Sequence, residues 1–321
     1  MENIKTHAKN WIAMSVKAMF VKEVSATERS AEQLKSAYIH CQKIAQQHYE
    51  NFPVASRFLP KKLRQPICVI YAFARTADDF ADEGDLETSK RLLLLQDYHQ
   101  QLEQISNHST NSKQAIFIAL ADVIRNFKLP IILFHNLLEA FEQDAVQTQY
   151  QNHQQLLDYC KKSASPIGQL MLYLHNQAST ENLDYSDNIC SALQLINFLQ
   201  DMQQDALESK RLYIPLEDIH NLNIDPQQLI KQIASGQDYN ESEALLIKQQ
   251  IHQAEQLLLA GTPLIRQLSG RFQFEIALIV NSGIKIIHKL KQANDFSYRP
   301  RLNRLDKITI LFKTIQSIHS S

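Results

Sequence analysis

Leu193-Gln-Leu-Ile-Asn-Phe-Leu-Gln-Asp-Met-Gln-Gln-Asp205 is apolar over most of its length, yet carries Asn197, Asp201 and Asp205 at four-residue steps. On an α-helix, residues four apart share a face, so these three line one oxygen-rich stripe. Leu193, Leu195, Ile196, Phe198 and Leu199 cover the rest of the surface. A helix so apolar elsewhere belongs at the centre of a helical fold. Carboxylates there need a metal ion or an arginine to compensate them. Gln194 extends the stripe by a turn, and Lys210-Arg211-Leu-Tyr213 returns cationic and phenolic donors toward it.

A second stretch repeats the pattern. Ala74-Arg-Thr-Ala-Asp-Asp-Phe-Ala-Asp-Glu83 sets Asp78 and Asp82 four residues apart, with Arg75 one turn before them. Like charges on one helix face repel, and a hard divalent cation removes that repulsion. Mg²⁺ takes one or two carboxylates and fills its other positions with water and substrate phosphate. Two such faces would clamp a metal-bound diphosphate, with Arg75 giving forked hydrogen bonds to it. Taken alone, the first stretch also reads as a solvated helix end, since Asp79, Glu83 and Asp85 continue the charge. Between the two stretches, Tyr159-Cys-Lys-Lys-Ser-Ala-Ser-Pro-Ile-Gly168 has small residues that suit a bend, a helix contact or close approach to a ligand.

Composition agrees with an all-α fold. Of 321 residues 44% are hydrophobic, while glycine (6) and proline (9) are few. Apolar periodicity predicts helices over 28–50, 62–82, 88–105, 112–126, 130–145, 153–175, 186–207, 242–268 and 272–292. No linker composition divides them, so residues 28–321 read as a single domain. In residues 1–27, Ile12, Val16, Phe20 and Val24 share a face beside Lys9, Lys17 and Lys22. Two readings are open for this extension: a basic amphipathic helix in a membrane interface, or a helix docked on its own domain.

A net charge of −1 carries no footprint for nucleic acid. Cys41, Cys68, Cys160 and Cys190 lie far apart without a C-x-x-C pair, as expected of reduced thiols in the cytoplasm. No apolar run is long enough to span a membrane, and Lys17 and Lys22 interrupt the N-terminal apolar stretch that a secretion signal requires. The chain has no H-E-x-x-H, G-x-S-x-G, Walker or G-x-G-x-x-G motif. Its single Glu-x-x-His, Glu217 with His220, lacks the second copy of a di-iron bundle.

The two acidic stretches, Gln194 ahead of Asn197, and Arg211-Leu-Tyr213 after Asp205 resemble the squalene/phytoene synthase family over about His48 to Arg304. More narrowly, five segments resemble its hydroxysqualene-forming bacterial branch. These are His48-Tyr-Glu-Asn-Phe-Pro-Val-Ala-Ser56, Phe73-Ala-Arg-Thr-Ala-Asp-Asp79, Ala140-Phe-Glu-Gln-Asp144, Tyr159-Cys-Lys-Lys-Ser163 and Leu193-Gln-Leu-Ile-Asn-Phe198. The resemblance implies an all-α isoprenoid synthase bundle with a central cavity. It implies Mg²⁺ held by Asp78, Asp82, Asn197, Asp201 and Asp205. Tyr71, Arg75 and Gln194 take catalytic places, and His48, Asn51, Phe52, Gly168, Arg211 and Tyr213 bind substrate.

The implied reaction is that of a carbon–oxygen lyase: presqualene diphosphate ionises and water captures the cation, giving hydroxysqualene without a nicotinamide cofactor. One departure bears on the branch. Gln200 precedes Asp201 where condensing members often carry arginine, which favours handling one diphosphate over joining two. The alternatives are a prenyltransferase that condenses two prenyl diphosphates head to head, and a non-catalytic helical subunit of the same fold. A long isoprenoid substrate implies peripheral contact with the inner face of a membrane. Oligomeric state is not encoded legibly.

Overall fold

A computed structural model describes residues 30–47, 60–82, 84, 86–107, 112–147 and 149–319. His48, Asn51 and Phe52 of the expected pocket, and the extension 1–27, lie outside them. The described residues are helical, with one isolated bridge, Asp238 to Asp295, and no strand among them. They form two compact units: residues up to Arg75 with Asn107–Asn126, and Thr76–Ser106 with Phe127–Ser321.

The first unit holds α1 (30–47), most of α2 (Lys61–Asp82) and nearly all of α4 (Ala115–Phe127). Cys41, Leu63, Ile67, Phe73, Phe117 and Leu120 are buried there, with Phe73 meeting Phe117 edge-on at 6.0 Å. Tyr38 Oη donates to Asp122 Oδ2 at 2.8 Å, tying α1 to α4.

The second unit begins with the tail of α2 and contains α3 (Thr88–Ser106) and α5 (Ile132–Val146), which pack together. It continues through α6 (His153–Ser163), α7 (Ser165–Leu174), α8 (Thr180–Glu208), α9 (Leu216–Asn221), α10 (Pro226–Ser235) and α11 (Glu241–Gly261). It ends with α12 (Leu264–Gln267), α13 (Gly270–Leu290) and α14 (Arg304–His319). The 29-residue α8 packs against α6, α7, α10, α11, α12 and α13, which is the central place its apolar sequence demands.

Helix ends follow local chemistry. Ser179 caps α8 and accepts from Asn182 N, so the helix starts six residues before the periodicity signal at 186. The expected helix 153–175 is two helices, because Pro166 lacks an N–H and its ring disfavours helical continuity through Ala164. Thr262-Pro263 likewise divides α11 from α12 inside the expected 242–268. Three helices, α9, α10 and α14, lie where no helix was expected. For α10 the signals are ordinary: an Asp225 N-cap, Pro226 in the first turn and Gly236 at φ 64° after the end. Asp225-Pro226 resembles a turn when read without its Gly236 partner.

The four cysteines are free, as expected. Burial pushes the thiols of Cys41 and Cys160 up to about 12, so neither is a ready nucleophile.

Candidate active site

Within the second unit, α8 presents Phe198, Asp201 and Asp205 beside the chain that follows it. Arg211 N donates to Asp205 O at 3.3 Å, which turns residues 209–213 back along the helix. The Arg211 guanidinium is 16% exposed, and its Nη2 stands 3.5 Å from Asp82 Oδ1 while also donating to the backbone carbonyl of Asp144. Its Nη1 reaches Tyr213 Oη at 3.5 Å. One arginine therefore joins the end of α2, the end of α5 and the exit of α8. The sequence expected Asp82, Asp205, Arg211 and Tyr213 to meet, and in the structure they do.

Asp144 is a member of this cluster that the site assignment missed, although its segment entered the family resemblance. It is 9% exposed and accepts from Tyr159 Oη at 2.9 Å. Burial pushes its carboxyl up to about 7; the Tyr159 hydrogen bond and Arg211 pull it down, and the charges of Asp82 and Asp78 push it up. A single Asp at the end of an apolar helix gives no spacing signal. The signal available was Tyr159, since a buried phenol needs a partner.

Asp205 is in the same state for related reasons. Burial first, and then the charge of Asp201, raise it to about 7, with Arg211 and Arg299 compensating only in part. Here the Asp205 carboxylate is short of positive charge. Among the described residues no three Asp, Glu, His or Cys side chains form a cage that would hold a metal by themselves. The donor set nevertheless fits Mg²⁺, which needs one or two carboxylates and completes its shell with water and phosphate oxygens. The fit rests on placement: Arg211 stands 3.5 Å from Asp82 and its backbone N–H donates to Asp205 O, so carboxylates of α2 and α8 flank one guanidinium, with Asp205 buried beside it.

Arg299 is the other unforeseen member. Its Nη2 lies 2.6 Å from Asp201 Oδ1. The segment after α13 is held both to α8 and to the chain between α10 and α11. Gln200 Nε2 donates to Pro300 O at 2.8 Å, Phe296 N donates to Gln237 O at 3.0 Å, and buried Phe296 meets Tyr239 edge-on at 4.6 Å. Gln200 does not supply a cation, but it helps place one. The loss of arginine at position 200 therefore weighs less for the branch than the sequence suggested.

Apolar walls complete the site. Phe198 and Tyr213 stack at 3.7 Å with an interplanar angle of 1°, and Tyr150 and Tyr159 flank the pair at 5.9–6.3 Å centroid separations. A narrow cleft runs along Leu195, Phe198, Leu199, Asp205, Arg211 and Tyr213.

Other expected residues fall elsewhere. Asn197 is exposed and Gln194 half-buried on α8, one and two turns or so before Asp201. Gly168 lies where α7 meets α8: a Cβ there would stand 2.4 Å from Ser186 Oγ and 2.5 Å from Cys190 Sγ. That is the geometry of a helix contact. Tyr71 and Arg75 are half-buried on α2 in the first unit.

Residues 45–306 match the family model described as squalene/phytoene synthase. A hydroxysqualene synthase of Sinorhizobium fredii is 31% identical over 258 residues, covering 80% of this chain and 85% of that protein. Another, from Rhodopseudomonas palustris, is 28% identical over 90% of this chain and 93% of its own length. A squalene synthase structure from Alicyclobacillus acidocaldarius superposes with a TM-score of 0.73 at 28% identity, covering 81% of this chain and 94% of that one. The fold is thus the all-α fold of isoprenoid synthases. The chain belongs to the squalene/phytoene synthase family.

Proposed function

We propose that this chain ionises presqualene diphosphate and lets water capture the resulting carbocation, yielding hydroxysqualene and diphosphate. Arg211 is the observation that carries diphosphate chemistry: it links Asp82, the Asp144 carbonyl and Tyr213 beside the Asp205 stripe. Similarity to proteins named hydroxysqualene synthase supports the branch.

Asp78, Asp82, Asn197, Asp201 and Asp205 are the residues that would hold Mg²⁺. When bound, the metal neutralises charge on the leaving diphosphate. Arg211, and Arg75 by resemblance, donate to its oxygens, stabilising charge as it develops. The C–O bond breaks with both electrons going to the diphosphate. The apolar walls keep bulk water from the cation, and aromatic faces such as that of Phe198 stabilise it by about 0.5–2 kcal/mol each. The cyclopropylcarbinyl cation rearranges as a ring C–C bond breaks and the cyclopropane opens. One water oxygen then bonds to the cationic carbon, and its proton passes to the released diphosphate. Tyr71 and Gln194 keep the catalytic places that the family resemblance gives them. No nicotinamide enters this reaction. His48, Asn51, Phe52 and Tyr213 stand as substrate-binding residues through the family resemblance, whereas Gly168 is read as an α7–α8 packing residue.

Head-to-head condensation is the second reading, and the guanidinium of Arg299 beside Asp201 favours it, because a second diphosphate needs added positive charge. The deciding experiment incubates the purified chain with Mg²⁺ and presqualene diphosphate, or farnesyl diphosphate with and without NADPH. Hydroxysqualene from presqualene diphosphate alone is the expected product. A C30 or C40 product from two prenyl diphosphates sinks the assignment in favour of condensation. No turnover and no Mg²⁺-dependent binding of a diphosphate analogue would identify a non-catalytic subunit.

A further inference from the structure

Large apolar side chains are exposed singly over much of the second unit, but on α14 they form a stripe. Leu305 (74% exposed), Ile308 (53%), Leu311 (43%), Phe312 (70%) and Ile315 (44%) recur at three- and four-residue steps. At about 100° per residue they cover an arc of roughly 120°. The opposite face is committed to the fold. Asp306, Ile310 and Thr314 are buried, and α14 packs on α13. Asp306 accepts from Lys289 at 2.6 Å and Lys285 at 3.2 Å, and with Asn303 forms a reciprocal cap at 2.9 Å in each direction. The helix is thus fixed in place with its apolar stripe facing outward.

The rim of that stripe is basic. From Arg299 to His319 the chain carries Arg299, Arg301, Arg304, Lys307 and Lys313 against one carboxylate, Asp306, which the lysines of α13 already neutralise. On the helical wheel Lys307 borders one edge of the stripe and Lys313 lies beyond the other. No helix of the described residues is long and apolar enough to cross a membrane. A stripe of this width between cationic edges has the form of a helix that lies in a bilayer interface.

We infer that α14 docks this protein on an anionic phospholipid surface, inserting Leu305, Ile308, Phe312 and Ile315 while Arg304, Lys307 and Lys313 meet headgroup phosphates. The charge decides the occupant. A two-fold copy of the chain on this face brings the two basic rims together, which is repulsive. Residues 1–27 carry Lys5, Lys9, Lys17 and Lys22 against Glu2 and Glu23, so they too bring net positive charge to a positive rim. An anionic bilayer offers both a hydrocarbon layer for the stripe and negative charge for its edges. The inference is independent of the reaction proposed above.

The test is co-sedimentation of the full chain with phosphatidylcholine vesicles, with and without phosphatidylglycerol. Wild type is expected to bind, and to prefer the anionic vesicles. The exposed positions of L305S/F312S leave helical signal and melting midpoint unchanged, while its partition coefficient falls roughly tenfold or more. K307E/K313E, an independent variant at exposed sites, is expected to lose the anionic preference. Unchanged vesicle binding in both variants overturns the inference. So does binding that survives L305S/F312S but disappears when residues 1–27 are deleted. A wild-type chain that ignores vesicles, and self-associates through a contact that L305S/F312S abolishes, assigns the face to a second copy instead.

Discussion

Asp201 and Asp205 are four residues apart on one helix, yet their surroundings set them in different states. Asp201 has the Arg299 guanidinium at 2.6 Å, whereas burial leaves Asp205 raised to about 7. Any cation that takes the Asp201 oxygen must displace or share it with Arg299. The pair is part exposed, at 44% and 19%, and such pairs are worth about 0.2–1 kcal/mol. Replacing Arg299 with Gln is therefore expected to tighten Mg²⁺ binding to the substrate-free protein by up to about fivefold, measured by calorimetric titration. Weaker binding instead would mean that Arg299 holds Asp201 in a metal-ready position. Asp144 makes a second case at this scale. Its carboxyl is buried and short of compensation, and Asn can still accept from Tyr159. D144N should keep or raise the melting midpoint while lowering turnover; a clearly destabilised D144N would show that the charge supports the fold. Neither Arg299 nor Asp144 was legible as a site residue, because their meaning comes from partners 98 and 15 positions away (Asp201 and Tyr159). Asp82, Asp205 and Arg211 were legible, because carboxylates at helical spacing inside apolar sequence carry their own signal.

Elements show where periodicity suffices and where it stops. The core helices were readable because burying one face imposes the 3.6-residue pattern. The α6–α7 break fell inside a stretch whose apolar periodicity runs on from one helix to the next, and the small residues Ser163-Ala164-Ser165 with Pro166 were its marks. Gly168 belongs to this level. Its Cβ position lies 2.4–2.5 Å from Ser186 Oγ and Cys190 Sγ, so G168A overpacks the α7–α8 contact. The expected cost is about 1–3 kcal/mol in urea unfolding. Adding S186A and C190A should recover part of it, whereas no recovery would place the cause in the helix itself.

The contact of α3 with α5 makes a pH prediction. His99 Nδ1 and His135 Nδ1 are 2.7 Å apart with stacked rings, and both histidines are held below the usual imidazole range by burial. Glu103 and Glu139 oppose that shift, and Glu142 lies 3.5 Å from His99. A depressed histidine pKa means that the unfolded chain binds more protons across the window below the ordinary histidine value near 6.5. Stability contributed by the pair is present above that value and is lost as pH falls through the folded pKa. In metal-free buffer, the melting midpoint should drop less between neutral and mildly acidic pH in H99Q/H135Q than in wild type. Equal slopes would remove the pair from the pH response.

At the scale of the whole chain, composition and two acidic stretches were enough for the fold class, since scarce glycine and repeated helical periodicity leave few architectures open. They were not enough for the outward face of α14, because an exposed apolar stripe and a buried one have the same periodicity; only the packing of Asp306, Ile310 and Thr314 tells which face is turned in. The chemistry proposed for the chain can be tested through its stability, without measuring products. A ligand that binds only the folded protein stabilises it by about 2.7 kcal/mol at a hundredfold excess over its dissociation constant. A non-hydrolysable prenyl diphosphate analogue with Mg²⁺ should therefore raise the wild-type melting midpoint, and either component alone should do so far less. D78N and D201N each remove a like charge from an acidic face, so without ligand they should melt at or above the wild-type temperature. With ligand and metal they should lose most of the shift and essentially all turnover, while circular dichroism reports an intact helical fold. Because the described residues form two compact units, unfolding need not be one transition, and the ligand-dependent shift belongs to whichever transition contains the second. A full shift and near-wild-type turnover in either variant at saturating Mg²⁺ would refute the metal–diphosphate role of that aspartate.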